Sequence, residues 1–166
     1  MLDIFRQVNW IVFIPHGILL TLITLLLLSL GVKNDLALLV AAFIYMGLSM
    51  LLHAVIPTHH RLGITLLKQG NFEAAKKSFD KSYEYFTRNK WLDDYRSIFI
   101  LSASKMSYKE MAMINAALCL LRMDDLVNSK MAYQKVLTQF PDSFMAKNAI
   151  SYIEDLEKES KENDNI

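Results

Sequence analysis

Two long apolar runs stand at the front of this chain, and behind them the apolar positions recur with a helical period. Residues 11–32 carry no charged side chain, and neither do residues 36–60. At about 1.5 Å per residue, either run makes a helix that covers a hydrocarbon core about 30 Å thick. The pattern predicts two spans, about residues 10–32 and 36–56, joined through Gly31-Val32-Lys33-Asn34-Asp35 as a tight antiparallel hairpin. Pro57 closes the second span, and Pro15 kinks the first or delays its start. Gly17, Thr21 and Thr24 are spaced to share one face of the first helix, and Ala42, Ser49 and His53 a face of the second. Small residues of this kind permit close backbone approach where lipid supplies no hydrophobic drive. A secretory signal is the competing reading, but the first run exceeds the roughly 7–15 apolar residues of such a segment and no small-residue cleavage site follows it.

After Pro57, the apolar residues Leu62, Leu66 and Leu67, then Phe72, Ala75, Phe79, Tyr83 and Phe86, mark two amphipathic helices joined at Gly70-Asn71. Asn71 is placed to cap the second helix, which runs to about Arg88. Gly63, Gly70, Ala75, Phe79 and Ser82 fall where two antiparallel helices touch, small residues at the close approach and an aromatic in the gap. The same intervals return in Ala117, Asp124, Ser129, Tyr133, Val136 and Pro141. The run resembles the tetratricopeptide repeat, whose turn and small-residue positions these match in order. Departures are Thr87 where the second copy has Pro141, and Asp124 and Val136 where the first has Gly70 and Ser82. The resemblance implies stacked helical hairpins, with a groove for a peptide or partner helix along the first helix of each pair.

The two copies are 54 residues apart, whereas adjacent repeats are offset by about 34. An insert over residues 90–109 accounts for the difference. Trp91, Leu92, Tyr95, Ile98 and Phe99 lie there at helical spacing and predict an additional short helix. Its aromatic set, Trp91, Tyr95 and Phe99, is expected to bury against the preceding helix, with an exposed docking surface as the alternative. Ser107 and Glu110 are spaced as a capping box for the next helix. Asp142 is expected to cap a final helix over residues 142–158, covering the second repeat with Phe144, Ala149, Ile150, Ile153 and Leu156. Residues 159–166, charged and almost without apolar side chains, are expected to be disordered. The predicted fold is all-α: a two-helix transmembrane hairpin over residues 1–57, then a helical-hairpin solenoid over residues 58–158 (repeats 58–89 and 110–141) with an inserted helix and a capping helix. Hairpin, insert and the run MSYKEMAMINAALCLL together resemble membrane-anchored bacterial proteins of this repeat class, which implies an inner (plasma) membrane location.

Charge changes this picture little. The net charge is +1, and the basic residues behind Pro57 are interleaved with acids, a distribution that suits anionic lipid modestly and argues against nucleic acid. Arg6 before the first span and Arg61, Lys68, Lys76 and Lys77 after the second predict that both ends face the cytoplasm. Cys119, the single cysteine, has no partner for an intrachain disulfide and is expected to be a packed thiol.

The sequence holds no phosphate loop, paired-cysteine motif, metalloprotease motif or nucleophile elbow, so no enzyme activity and no cofactor is expected. With the turn centred near Lys33, His16 and His53 would come to similar depth, and with His59 and His60 they raise a metal site or proton relay. No carboxylate or thiolate completes a ligand set within the spans, so packing near the interface is the better reading. Asp93-Asp94 and Asp124-Asp125 read as helix-start residues before metal ligands. The expected partners are a protein or peptide and membrane lipid, with a homo-oligomer permitted. The partner-binding candidates are Arg61, Lys68, Trp91, Tyr95 and Asn115. Together these predict a membrane-anchored scaffold or adaptor at the cytoplasmic face, or alternatively a small accessory or regulatory subunit of a membrane enzyme or transporter.

Overall fold

The structure, a computed structural model, describes residues 13–100, 102 and 104–163. Among them every regular element is a helix. Contacts divide the chain into two compact units, one built from Met1–Thr58 and Asn89–Ser107, the other from His59–Arg88 and Tyr108–Ile166.

The first unit begins with the apolar pair, α1 (Phe13–Ser29) and α2 (Asn34–Val55), packed against each other. The expected start of the first span, before Phe13, lies outside the described residues. Of the two, α2 is long and apolar enough to cross a membrane, with a mean hydropathy of 2.1 and almost none of its length buried; α1 is apolar but shorter. The seam differs from expectation. Ala37 and Ala41 are fully buried, whereas Ala42 is exposed and Gly17 has open space around it. Neighbouring helix positions are rotated by about 100°, so a seam through Ala37, Ala41 and Tyr45 turns Ala42 outward. Thr21 and Thr24 donate their hydroxyls to the carbonyls of Gly17 and Leu20 on their own helix, at 2.8 Å each.

Residues 89–107 form the rest of this unit as two short helices, α5 (Lys90–Asp94) and α6 (Arg96–Phe99), where the spacing predicts one. The break falls at Tyr95, whose ψ of 28° is not helical. Arg96 then closes the loop on itself. Its guanidinium donates to the carbonyl oxygens of Asp93 (2.9 Å), Ser104 (2.9 and 3.1 Å) and Lys105 (2.6 Å), so one fixed fork of donors ties the end of α5 to the loop that follows α6. Leu92 and Ile100 are buried. Trp91 and Tyr95 are not: they are 51% and 57% exposed, which reverses their expected burial.

The second unit stacks α3 (Thr58–Lys68), α4 (Phe72–Arg88), α7 (Tyr108–Arg122), α8 (Leu126–Gln139) and α9 (Phe144–Asn163). Helix α4 packs directly on α7, as consecutive repeats would, although the insert separates them in sequence. At Gly63 the fully buried ring of Phe79 stands where a Cβ would be, at 2.6–2.9 Å. In the second copy Ser129, the counterpart of Ala75, donates its hydroxyl to the Ala117 carbonyl at 3.0 Å. Ala75, Phe79 and Cys119 form the core between them, with Ile64, Leu66, Leu67, Phe72 and Ala116 packed around it.

The two turns repeat each other bond for bond. Gly70 (φ 77°) and Asp124 (φ 62°) both take the left-handed conformation. In each turn that residue's N–H returns to the carbonyl three before it, Leu67 or Leu121, and the next N–H to Leu66 or Leu120, a Schellman ending. Asn71 and Asp125 then cap the following helices by accepting the N–H three residues on, Ala74 and Asn128, each at 3.2 Å. The last helix departs from expectation at both ends. Ser143, not Asp142, immediately precedes it, and it runs into the polar stretch expected to be disordered as far as Asn163; residues 164–166 lie outside the described residues. Ala146 and Ile153 form its buried face, while Phe144 is exposed. Lys130 on α8 reaches Glu154 and Glu157 on α9, at 3.4 and 2.8 Å.

His60 sits inside this unit, 8% exposed, its ring edge-on to Phe79 and Tyr108 at centroid distances of 5.5 Å. Tyr108 in turn stacks on Phe86 at 4.8 Å. Burial among rings pushes the His60 imidazole down to about 4, because no group there compensates a charge. Its Nδ1 has no hydrogen-bond partner among the described residues.

Two outcomes are expected for the full chain in mild detergent micelles, followed by circular dichroism on heating. Gly63→Ala places its methyl against the Phe79 ring and destabilises by about 1–3 kcal/mol, and Gly70→Ala costs about 1 kcal/mol, whereas Asp124→Gly raises the melting temperature by relieving a left-handed residue. For His60, the unfolded ring titrates near 6.5, so between about pH 6.5 and 4 the unfolded state binds the extra proton. Stability is full above that window and falls through it as pH drops, by up to about 3 kcal/mol; His60→Leu flattens this dependence.

Candidate functional site

Helix α4 carries Lys76, Asp80 and Tyr83 at intervals of four and three, so all three side chains leave one face. Opposite them α7 supplies Ala112, Met113, Ala116 and Leu120, and α8 supplies Ala132 and Lys135. The three alanines are too short to fill the gap between the helices, and a crevice of about 200 Å³ remains within the second unit. Its floor is apolar and its rim polar. Lys76 pairs with Asp80 at 2.9 Å. The Gln139 amide donates to the Tyr83 hydroxyl at 3.4 Å, and the Lys109 ammonium stands 5.4 Å from the centre of the Tyr83 ring. The Tyr83 hydroxyl is held below its ordinary range, first by the Gln139 hydrogen bond and then, against some desolvation, by Lys109. One acid, Asp80, against the lining lysines Lys76 and Lys135 leaves the rim positive. Such a crevice suits an apolar side chain with a carboxylate beside it.

Cys119 lies behind the floor, and burial pushes its thiol up to about 11, with the Asp80 charge adding to the effect. A thiol so poorly ionised is a packing group rather than a nucleophile.

The residues singled out from the sequence divide between the two units. Arg61 and Lys68 are exposed on α3, and Asn115 is half-buried on α7; none of the three lines the crevice. Trp91 and Tyr95 belong to the first unit. The repeat positions Gly63, Ala75, Phe79, Ser82, Ala117, Ser129 and Tyr133 are all buried, and Gly70 and Pro141 stand in exposed turns. The sequence reading missed the crevice itself. Its signal was present in the interval of Lys76, Asp80 and Tyr83, but only the packing of α4 on α7 sets those residues opposite a row of alanines.

The histidines also fall differently from expectation. His16 is level with Tyr45, whose hydroxyl lies 3.1 Å from its Nδ1, while its Nε2 lies 3.0 Å from the Ser97 carbonyl oxygen. A carbonyl only accepts, so Nε2 carries the proton and Nδ1 accepts from Tyr45. His53 bonds back to the Ser49 carbonyl on its own helix at 3.0 Å. The two rings therefore do not share a depth, because the chain turns at Gly31 (φ 86°), two residues earlier than a turn centred on Lys33. Among the described residues no three His, Cys, Asp or Glu side chains converge as metal ligands would.

Comparison with known families gives two matches. A family model described as tetratricopeptide repeat covers residues 56–86, and a second of the same description covers residues 111–143. No curated protein and no solved structure matches the chain. The two matched segments coincide with the helix pairs α3–α4 and α7–α8, whose turns and caps repeat position by position; the chain carries two tetratricopeptide repeats.

Proposed function

We propose that this protein is a membrane-anchored adaptor, holding a protein or peptide partner through its repeats at the cytoplasmic face of a bacterial inner membrane. Tetratricopeptide repeats are in general scaffolds for protein–protein interaction, and the observation that carries the rest is α2. It is 22 residues long and apolar. Leu38, Leu39, Phe43, Met46, Met50 and Leu51 are all about half exposed or more. A helix that serves as the core of a soluble fold buries such side chains, since each costs roughly 1.5–3 kcal/mol left in water. On this reading α1 and α2 are the anchor, and Arg61, Lys68, Asn115 and the crevice rim face the partner. Tethering raises the partner's effective concentration without added contacts. A small accessory subunit of a larger membrane complex is the second reading, favoured by the same exposed surface if other helices rather than lipid cover it.

Crosslinking in native membranes followed by purification in mild detergent is expected to recover a defined protein partner; recovery of none across several detergents overturns the adaptor reading. Lys135→Glu, which reverses one rim charge on an exposed position, is expected to weaken that partner about tenfold, or about 1.4 kcal/mol, with the helix content unchanged. Removing residues 1–57 separates the two readings: an adaptor's remaining part keeps its partner, and a subunit joined through its apolar helices loses it.

A further inference from the structure

The insert of residues 89–107 presents a surface that the repeats do not need. Trp91, Tyr95 and Ile98 lie at intervals of four and three, and are 51%, 57% and 50% exposed. No helical repeat requires two aromatic rings and an isoleucine exposed to solvent, and three large apolar side chains left in water on one short insert carry a standing cost. Of the insert's charged groups, Asp93 is buried and Arg96 is held inside the loop, while Lys90, Asp94 and Lys105 stay exposed. Arg96 spends its donors on the carbonyls of Asp93, Ser104 and Lys105. Lys90 and Asp94 stand 3.8 Å apart, and Asp93 is 4% exposed. The Ser104 hydroxyl serves Met106 in both directions, donating to its carbonyl at 3.1 Å and accepting its N–H at 3.2 Å.

This internal pairing matters because irregular backbone is tolerated beside lipid only where its polar groups are satisfied by the protein itself. The insert also has a fixed address. Helix α6 packs against α1, and the Ser97 carbonyl accepts from His16, which is itself held by Tyr45 of α2. All three elements belong to one compact unit, and α1 and α2 carry large exposed apolar side chains of their own.

We propose that Trp91, Tyr95 and Ile98 form a lipid-contacting wedge, seating the insert in the headgroup boundary of the membrane beside the apolar pair. Tryptophan and tyrosine suit that place because each has an apolar body and one polar tip. The Arg96 clamp gathers the carbonyls of Asp93, Ser104 and Lys105, and His16 is the link to the anchor. This inference rests on the membrane reading given above.

The chain's two tryptophans make the test direct, since Trp10→Phe leaves Trp91 as the sole reporter. The full-length variant is reconstituted into phosphatidylcholine vesicles whose acyl chains are brominated near the headgroup or near the methyl end, and flotation is measured with Trp91 emission. The expected result is flotation with the vesicles, a blue-shifted emission, and loss of most of its intensity to bromine, strongest near the headgroup. Ile98→Asp in the same background is expected to restore much of that intensity. Flotation with no quenching at either position overturns the wedge alone and leaves the three side chains in water or against a second copy. Failure to float overturns the membrane anchor itself, and the wedge with it.

Discussion

The second unit depends on how closely two helix backbones can approach. At Gly63 there is no room for a methyl group, because the Phe79 ring occupies the place a Cβ would take. That ring is what fills the core between Ala75 and Cys119, and it is also one wall of the pocket that holds His60. The second copy joins its two helices with different chemistry: Ala117 stands where Gly63 does and is one carbon larger, and Ser129, where the first copy has Ala75, adds a buried hydrogen bond to the Ala117 carbonyl. Packing at this density explains why a single carbon is felt there. It also explains why Asn71 and Asp125 must start their helices where they do, since a cap displaced by one residue would rotate every core position on α4 or α8.

The insert shows how a repeat array accepts extra chain. Because α4 and α7 pack directly, the residues between them are excluded from the stack and must find a core elsewhere. They find it with the apolar pair, in the first unit. Leu92 and Ile100 supply a small apolar interior, and Arg96 supplies the polar closure by donating to the carbonyls of Ser104 and Lys105. A bond from His16 to a backbone carbonyl, rather than to a side chain, makes this attachment depend on the path of the insert and not on the identity of Ser97.

Small domains bury a low fraction of their surface, and two repeats are fewer than the roughly three that a solenoid needs to stand alone. Helix α9 covers the open side of α8 with Ala146 and Ile153, and is fastened by Lys130 to two glutamates. Those glutamates lie on the stretch where polar residues begin to dominate the sequence. The helix therefore continues past its last buried residue, since side chains on its outer face ask only for water.

Much of this could be read from residue order. Apolar runs without charge, the recurrence of small and aromatic residues at matched intervals, and turn residues at Gly70 and Asp124 are local properties, and local properties fix helices, turns and repeats. The sequence also singled out Asn71 as a cap and the end of α4 at Arg88. It could not decide which side of α2 meets α1, because Ala41 and Ala42 are equally small and only the partner helix chooses between them. Nor could it decide that Trp91 and Tyr95 face outward, that His16 meets Tyr45 rather than His53, or that Lys76, Asp80 and Tyr83 look onto a row of alanines. Each of these is a relation between elements far apart in sequence, settled by which faces pack, and a periodic pattern names the faces of a helix without naming what lies against them.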